Sequence, residues 1–181
     1  MIDAPIQTQR LSLIPAALPL LLAERESAAA LGAALGAEVT AEWPPGEYDR
    51  GALDFFISAL AQQVPEMAMW YLWYAVCPTP QPTLVAAAGF YGPPQAGRVE
   101  IGYSVIPAAH NQGFGSEIVS ALVAFAFAHG VQEVIAQTTE ANVASTRVLE
   151  RCGFVRTDAG ASTGAGQGDA LCYRRVAEAQ H

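Results

Sequence analysis

His110-Asn111-Gln112-Gly113-Phe114-Gly115 is the stretch on which the reading of the whole chain turns. Before it runs RVEIGYSVIP, Arg98 to Pro107, rich in β-branched residues and read as a strand over Arg98–Ile106. After it an almost unbroken apolar segment extends from Ser116 to His129 and reads as a helix, apolar nearly all round and so laid against a sheet. The order is strand, glycine loop, helix. Glycines let the backbone turn tightly and bare successive N–H groups at a helix start, where the helix dipole attracts anions. The loop is therefore expected to hold a phosphate or diphosphate on the N–H groups of Gln112, Gly113, Phe114, Gly115, Ser116 and Glu117.

Of two kinds of nucleotide loop, the residues rule out one and match the other only weakly. A Walker loop needs Gly-Lys-Ser/Thr, and all nine basic residues of this chain are arginine. A dinucleotide fingerprint needs a third glycine where Ile118 stands. Coenzyme A is the third option. The run from Gln112 to Gly115, followed by Ser-Glu-Ile, resembles the Q/R-x-x-G-x-G/A loop of the GNAT superfamily of acetyl-CoA-dependent N-acetyltransferases. Downstream, TEANVASTRVLERCGF from Thr139 to Phe154 resembles that superfamily's second cofactor motif, in the form used by the branch that acetylates ribosomal-protein N-termini. The likeness is strong over residues 83–156 and looser upstream, where Gln9 to Leu13 is similar to the branch's first strand.

The resemblance implies acetyl-CoA as co-substrate, with no metal, and transfer of the acetyl group to a primary amine by direct attack on the thioester. The acceptor would be a protein N-terminus or a small amine. It further implies that the pantetheine arm extends along the strand near Val105 and Ile106, that Asn142 contacts the coenzyme, and that Glu100 removes the amine proton directly or through water. Glu100 could equally be a strand carboxylate facing solvent or paired with Arg98. A tyrosine that protonates the departing thiolate in many members is replaced here by Leu149; the branch's serine, Ser145, would hydrogen-bond the sulfur instead, or be only a helix-surface residue. A thiol of pKa ~8.5 leaves tolerably with a hydrogen bond alone. His110 stands where the family usually has Arg or Gln. These two departures support an alternative, an acyl-CoA sensor or structural module that binds but does not transfer. Deprotonating an α-amine at neutral pH costs roughly 1 kcal/mol against roughly 4.6 for lysine, so a weak base favours an N-terminal amine.

Working outward, the chain reads as mixed α/β (α+β), strands flanked by helices, and the resemblance implies a mostly antiparallel sheet of about six to seven strands. A first strand is expected over Ile6–Ile14 and one helix from about Ala16 to Leu35, ended by Gly32 and Gly36. A loop, Val39 to Arg50, precedes a helix that Asp49 or Arg50 starts and that runs to about Gln63, burying Leu53, Phe56, Ile57 and Leu60. Strands follow over Met69–Cys77, apolar on both faces, and Thr83–Tyr91, with Gly92–Gly97 as a hairpin connection. Val131–Thr139 is a further strand, and Asn142 is typed as the N-cap of a helix to Arg151 that stops at Gly153. Phe154–Thr157 and Ala170–Val176 are the last strands, joined by a flexible Asp158–Gly168, before a frayed tail, Ala177–His181.

With 181 residues, 52% of them apolar, the chain reads as one domain, 1–181, able to bury about 70% of its unfolded surface. A net charge of −8 without lysine argues against nucleic-acid binding. The acidity suits a cationic amine, or is simply a solvated surface. Cys77, Cys152 and Cys172 lack C-x-x-C spacing, so neither disulfide framework nor zinc site is indicated. The apolar run Leu11–Ala23 is broken by Pro15 and Pro19 and is shorter than the ~20 residues of a membrane span, so a cytoplasmic location is expected. Oligomeric state stays open, a homodimer included. Trp43, Tyr48, Trp70 and Trp73 are either an acceptor pocket or ordinary packing, and Glu42, Glu47 and Asp49 either draw in an amine or are merely solvated. Gly160-Ala-Ser162-Thr-Gly164 imitates a nucleophile elbow, but the glycine-rich residues after it cannot form the helix that an elbow requires.

Overall fold

A computed structural model of the chain describes residues 4–157 and 170–178. The N-terminal segment folds back on itself, so that the expected single strand is two: β1, Ile6–Gln7, and β2, Ser12–Pro15. The cause is Thr8, whose N–H donates to Leu11 O at 2.9 Å while Leu11 N–H donates to Thr8 Oγ1 at 3.0 Å, closing a turn across residues 8–11. The expected helix over 16–35 is likewise two, α1 (Leu18–Glu26) and α2 (Ala28–Leu35). Ser27 between them is fully extended, and its hydroxyl accepts from Ala30 N–H. Its capping bond overrides the helix propensity of the alanines around it.

Helix α3, Arg50–Leu60, starts behind the Asp49 side chain, which accepts from Ala52 N–H, and buries the four residues expected. Residues Pro65–Trp70 form a 3-10 turn, so β3 begins later than expected, at Leu72, and runs to Cys77. Strands β4 (Thr83–Phe90) and β5 (Arg98–Val105) follow, then a short 3-10 turn at Pro107–Ala109 and helix α4, Phe114–Ala128. Strand β6 (Glu133–Thr139), helix α5 (Val143–Arg151) and strands β7 (Val155–Thr157) and β8 (Ala170–Val176) complete the described chain. The imitation elbow and the Asp158–Gly168 connection lie outside the described residues, as does the tail beyond residue 178.

The strands form one sheet in the order β1-β2-β3-β4-β5-β6-β8-β7, eight among the described residues where about six to seven were expected. Every neighbouring pair is antiparallel except β5 and β6. That parallel pair requires a crossover, which α4 supplies, and α4 buries Ile118, Val119, Leu122, Val123 and Ala126 in doing so. Strands β3 and β4 are buried on both faces almost throughout, as a sheet covered on both sides requires.

The β5–β6 register makes the site. Pairing between these strands runs from Arg98↔Glu133 to Ile101↔Ala136 and stops. Beyond that point β5 continues to Val105 against β4 alone, and β6 continues to Thr139 against β8 alone. The sheet is split at its centre, directly ahead of the glycine loop.

Candidate active site

Gly113 caps α4 with φ 79° and ψ 4°, a left-handed conformation that glycine adopts without steric cost. Asn111, two residues earlier, is also left-handed, at φ 59°. The first helical bond of α4 is Glu117 N–H to Gly113 O at 3.1 Å. Ahead of it, the N–H groups of Asn111, Gln112, Gly113, Phe114, Gly115 and Ser116 find no acceptor among the described residues. A run of bare amides at a left-handed turn and a helix start makes an anion-binding concavity. Asn111 was not singled out in the sequence, although Asn is the side-chain-bearing residue most at home at positive φ.

The cradle is main chain. The Glu117 N–H donates within the helix to Gly113 O at 3.1 Å, and its carboxylate accepts from Thr8 Oγ1 at 2.6 Å, Arg10 N–H at 2.8 Å and Arg10 Nε at 2.8 Å. Burial pushes this carboxyl up, but the Thr8 and Arg10 hydrogen bonds and the Arg10 charge together hold it below its ordinary value. The Phe114 ring is buried under the Arg10 guanidinium, 4.5 Å from its centroid. Ser116 Oγ is buried without a partner, so Ser116 offers an anion only its N–H. A Cβ at Gly115 would press on Val148 at 3.3 Å, which explains a glycine where α4 meets α5. Gln112 Nε2 donates to Ala108 O at 2.9 Å and His110 Nε2 lies 2.8 Å from Val105 O, so both side chains tie the loop back to the end of β5.

At the split, alternate residues of β5 turn their main-chain groups toward β4 or toward the opening. The Ile106 N–H turns toward β4, donating to Val85 O at 2.9 Å, and its side chain is buried. By the same alternation the N–H groups of Tyr103 and Val105 face the side that β6 has left. Their side chains also alternate. On one face lie Glu100, Gly102 and Ser104: Ser104 Oγ donates to Pro45 O, ahead of α3, at 2.9 Å, and the Tyr91 hydroxyl lies over Gly102, 2.6 Å from where a Cβ would stand. Burial raises the Glu100 carboxyl above its ordinary value, and a hydrogen bond with Gln137 opposes this in part. The Tyr91 phenol is raised by burial and then by the charges of Glu100 and Glu47, two carboxylates near it. Arg98 pairs with Glu133 rather than with Glu100.

On the opposite face stand Tyr103 and α5. Asn142 caps α5 as expected, its Oδ1 accepting from Ser145 N–H at 3.0 Å. Ser145 Oγ lies 2.9 Å from the Tyr103 hydroxyl, which also donates to Ser145 O at 3.2 Å. Burial is the main reason the Tyr103 phenol is pushed up to about 12, so it stays a neutral donor through the physiological range. Sequence reasoning missed Tyr103, although it sits two residues before Val105 on the strand that feeds the loop. Leu149 is fully buried, which explains the absence of a tyrosine there: that position points into the core. Glu100 and the Tyr103–Ser145 pair thus lie on opposite faces of the sheet.

The aromatic candidates are packing. Trp70 and Trp73 are buried in the core, and Trp73 Nε1 donates to Met69 O at 2.8 Å. Trp43 Nε1 and Tyr48 hydroxyl donate to the Glu24 carboxylate at 2.6 and 2.7 Å, joined there by the Tyr74 hydroxyl. Glu42 accepts from Ala108 N–H at 2.9 Å, so this acidic residue anchors the turn after β5. A groove of about 620 Å³ bordered by Glu140, Val143, Glu150 and Arg156 shares no residue with the cradle. Among the described residues no group of three His, Cys, Asp or Glu is placed to hold a metal, and no helix is long and apolar enough to cross a membrane.

An uncharacterized N-acetyltransferase of Bacillus subtilis, YoaA, is 38% identical over 73 residues, 39% of this chain and 41% of that protein, so the match spans less than half of the relative. A putative ribosomal-protein-serine acetyltransferase from Vibrio cholerae superposes with a TM-score of 0.66 at 20% identity, covering 98% of this chain and 100% of the other. The ribosomal alpha-N-protein acetyltransferase RimL, in complex with coenzyme A, superposes with a TM-score of 0.65 at 18% identity over 96% and 98%. At these identities the likeness is one of fold. Residues 19–155 match the acetyltransferase (GNAT) domain family, more than half of the chain, and with the split sheet and the bare amide loop this makes the protein a member of the GNAT acetyltransferases.

Proposed function

We propose that this acetyltransferase moves an acetyl group from acetyl-CoA to a primary amine, with a protein or peptide N-terminus as the favoured acceptor. The observation that carries the reading is the run of unpaired N–H groups over residues 111–116, opening beside the released edge of β5. Gly113, Phe114, Gly115 and Ser116, with Asn111 and Gln112, would hold the diphosphate through main-chain donors alone. Tyr103 and Val105 would receive the pantetheine arm as an added strand. Acetyl-CoA supplies an activated thioester.

The residues then divide the chemistry between two faces. Glu100 takes the proton of the incoming ammonium, and its raised pKa makes it a better base than an exposed carboxylate. As the amine nitrogen bonds to the carbonyl carbon, a main-chain donor of β5 meets the developing oxyanion. As the carbon–sulfur bond breaks, Ser145 Oγ donates to the sulfur, and the Tyr103 hydroxyl holds Ser145 in place. Glu100 and Glu47, the two carboxylates near Tyr91, favour a cationic acceptor. The names of the two structural neighbours support a protein N-terminus, whose amine needs less help to deprotonate than a lysine.

Calorimetric titration with acetyl-CoA, followed by thiol release with a panel of N-terminal peptides and small amines, tests the proposal. Binding with turnover on peptides is the expected result. Absence of binding refutes the site, and binding without thiol release for any amine identifies a coenzyme-binding module instead.

A further inference from the structure

An acidic side chain in the first turn of a helix normally complements the dipole, but at a site built for an anion it competes with that anion for the same positive potential. Glu117 is such a carboxylate, one turn into α4. Its four contacts all come from the turn between β1 and β2, more than a hundred residues away: Thr8 Oγ1, Arg10 N–H, Arg10 Nε and Arg10 Nη2, the last at 2.7 Å. The same guanidinium donates through Nη1 to Gln112 O at 2.8 Å and lies over the Phe114 ring. Across a planar trans peptide the carbonyl of Gln112 and the N–H of Gly113 point in opposite directions. Holding that oxygen toward Arg10 therefore turns the Gly113 donor away from Arg10, toward the open side of the loop.

We propose that Arg10 is a positioning residue for the diphosphate cradle: it cancels the Glu117 carboxylate at the head of α4 and, through Gln112 O, fixes the direction of the Gly113 N–H. The inference rests on the reading of residues 111–116 as the coenzyme site. The side chain need not touch the coenzyme, because three of its nitrogens are already engaged within the protein. The Thr8 turn that splits the first strand exists in this arrangement to deliver Arg10 and Thr8 to Glu117.

The test is a titration of coenzyme A, and of pantetheine as a probe lacking the diphosphate, into the full chain and its R10A, E117Q and R10A/E117Q variants, with thermal unfolding of each. R10A is expected to weaken coenzyme A at least about fivefold, the effect of one uncompensated charge at a helix start, and to leave pantetheine unchanged. E117Q alone should stay within about twofold of the parent, and the double variant should lie between R10A and E117Q, recovering the part of the loss that comes from the competing charge and keeping the part that comes from the freed Gln112 carbonyl. In turnover, R10A should raise KM for acetyl-CoA and leave kcat at saturation unchanged. Parent-like affinity in R10A, an equal loss for pantetheine, or a double variant as weak as R10A overturns the inference. If R10A does not fold, R10K keeps the charge without the planar fork and is held to the same contrast between the two probes. Failure of the parent itself to bind coenzyme A overturns the site reading beneath the inference, and is told apart by that measurement alone.

Discussion

Replacing Gly113 by alanine separates the backbone requirement of the cradle from simple loss of stability. At φ 79° a side-chain-bearing residue pays roughly 1–2 kcal/mol, whereas space is ample, since a Cβ there would meet Arg10 Nη2 only at 3.5 Å. For a chain of this size the strain lowers Tm by about 2–4 °C per kcal/mol. If the loop instead relaxes out of the left-handed region, the donors at 113–115 stop converging. Loss of one charge-assisted hydrogen bond, ~1.5–3 kcal/mol, weakens acetyl-CoA about ten- to a hundredfold. Gly130 provides the control: it follows the end of the same helix at φ 83°, a Cβ there would have nothing within 4 Å, and it takes no part in the site. G130A should match the Tm loss of G113A and keep full affinity, and G113N, which tolerates positive φ, should fall between G113A and the parent. Equal affinities for G113A and G130A in calorimetry would refute the reasoning.

Glu100→Gln should lower kcat by about 10²–10⁴-fold at neutral pH and abolish the acid limb of the rate profile. Because the folded pKa of Glu100 is raised, its favourable contribution is present below the unfolded value and lost as pH rises through the folded one. E100Q should therefore raise Tm at about pH 7 but not at about pH 3, as scanning calorimetry will read. Ser145→Ala should reduce kcat more than KM, and Tyr103→Phe should reduce it less, since Tyr103 acts through Ser145; single-turnover thiol release distinguishes them. Glu24→Leu leaves three donors, from Trp43, Tyr48 and Tyr74, without their acceptor and should destabilise the fold by about 3 kcal/mol or more in denaturant titration, whereas E24Q should cost less.

Signals confined to a few neighbouring residues were legible in the sequence. The strand, glycine loop and helix around Gly113, the Asn142 cap, the Asp49 start of α3 and the doubly covered β3 all follow from side chains acting on their own backbone or from the period of burial. Where such a signal was outweighed, the reading went wrong for a local reason: alanine propensity hid the Ser27 cap that breaks 18–35 into two helices, and the alternation over 6–14 hid the Thr8 turn.

What the tertiary structure decided is everything that depends on which strands lie side by side. The end of the β5–β6 ladder at Ile101, which leaves Tyr103 and Val105 facing an opening while Ile106 bonds to β4, is a register fact with no mark in either strand alone. So are the meeting of Tyr103 with Ser145 across 42 positions and of Arg10 with Glu117 across 107. The amino-acid sequence by itself determined that this chain carries a strand, an amide-baring turn and a helix fit for an anion, because φ, ψ and capping are set by nearest neighbours. Only the folded sheet decided which donors remain free and which charges are cancelled, because hydrogen-bond satisfaction and electrostatics are settled between segments that the chain itself keeps far apart.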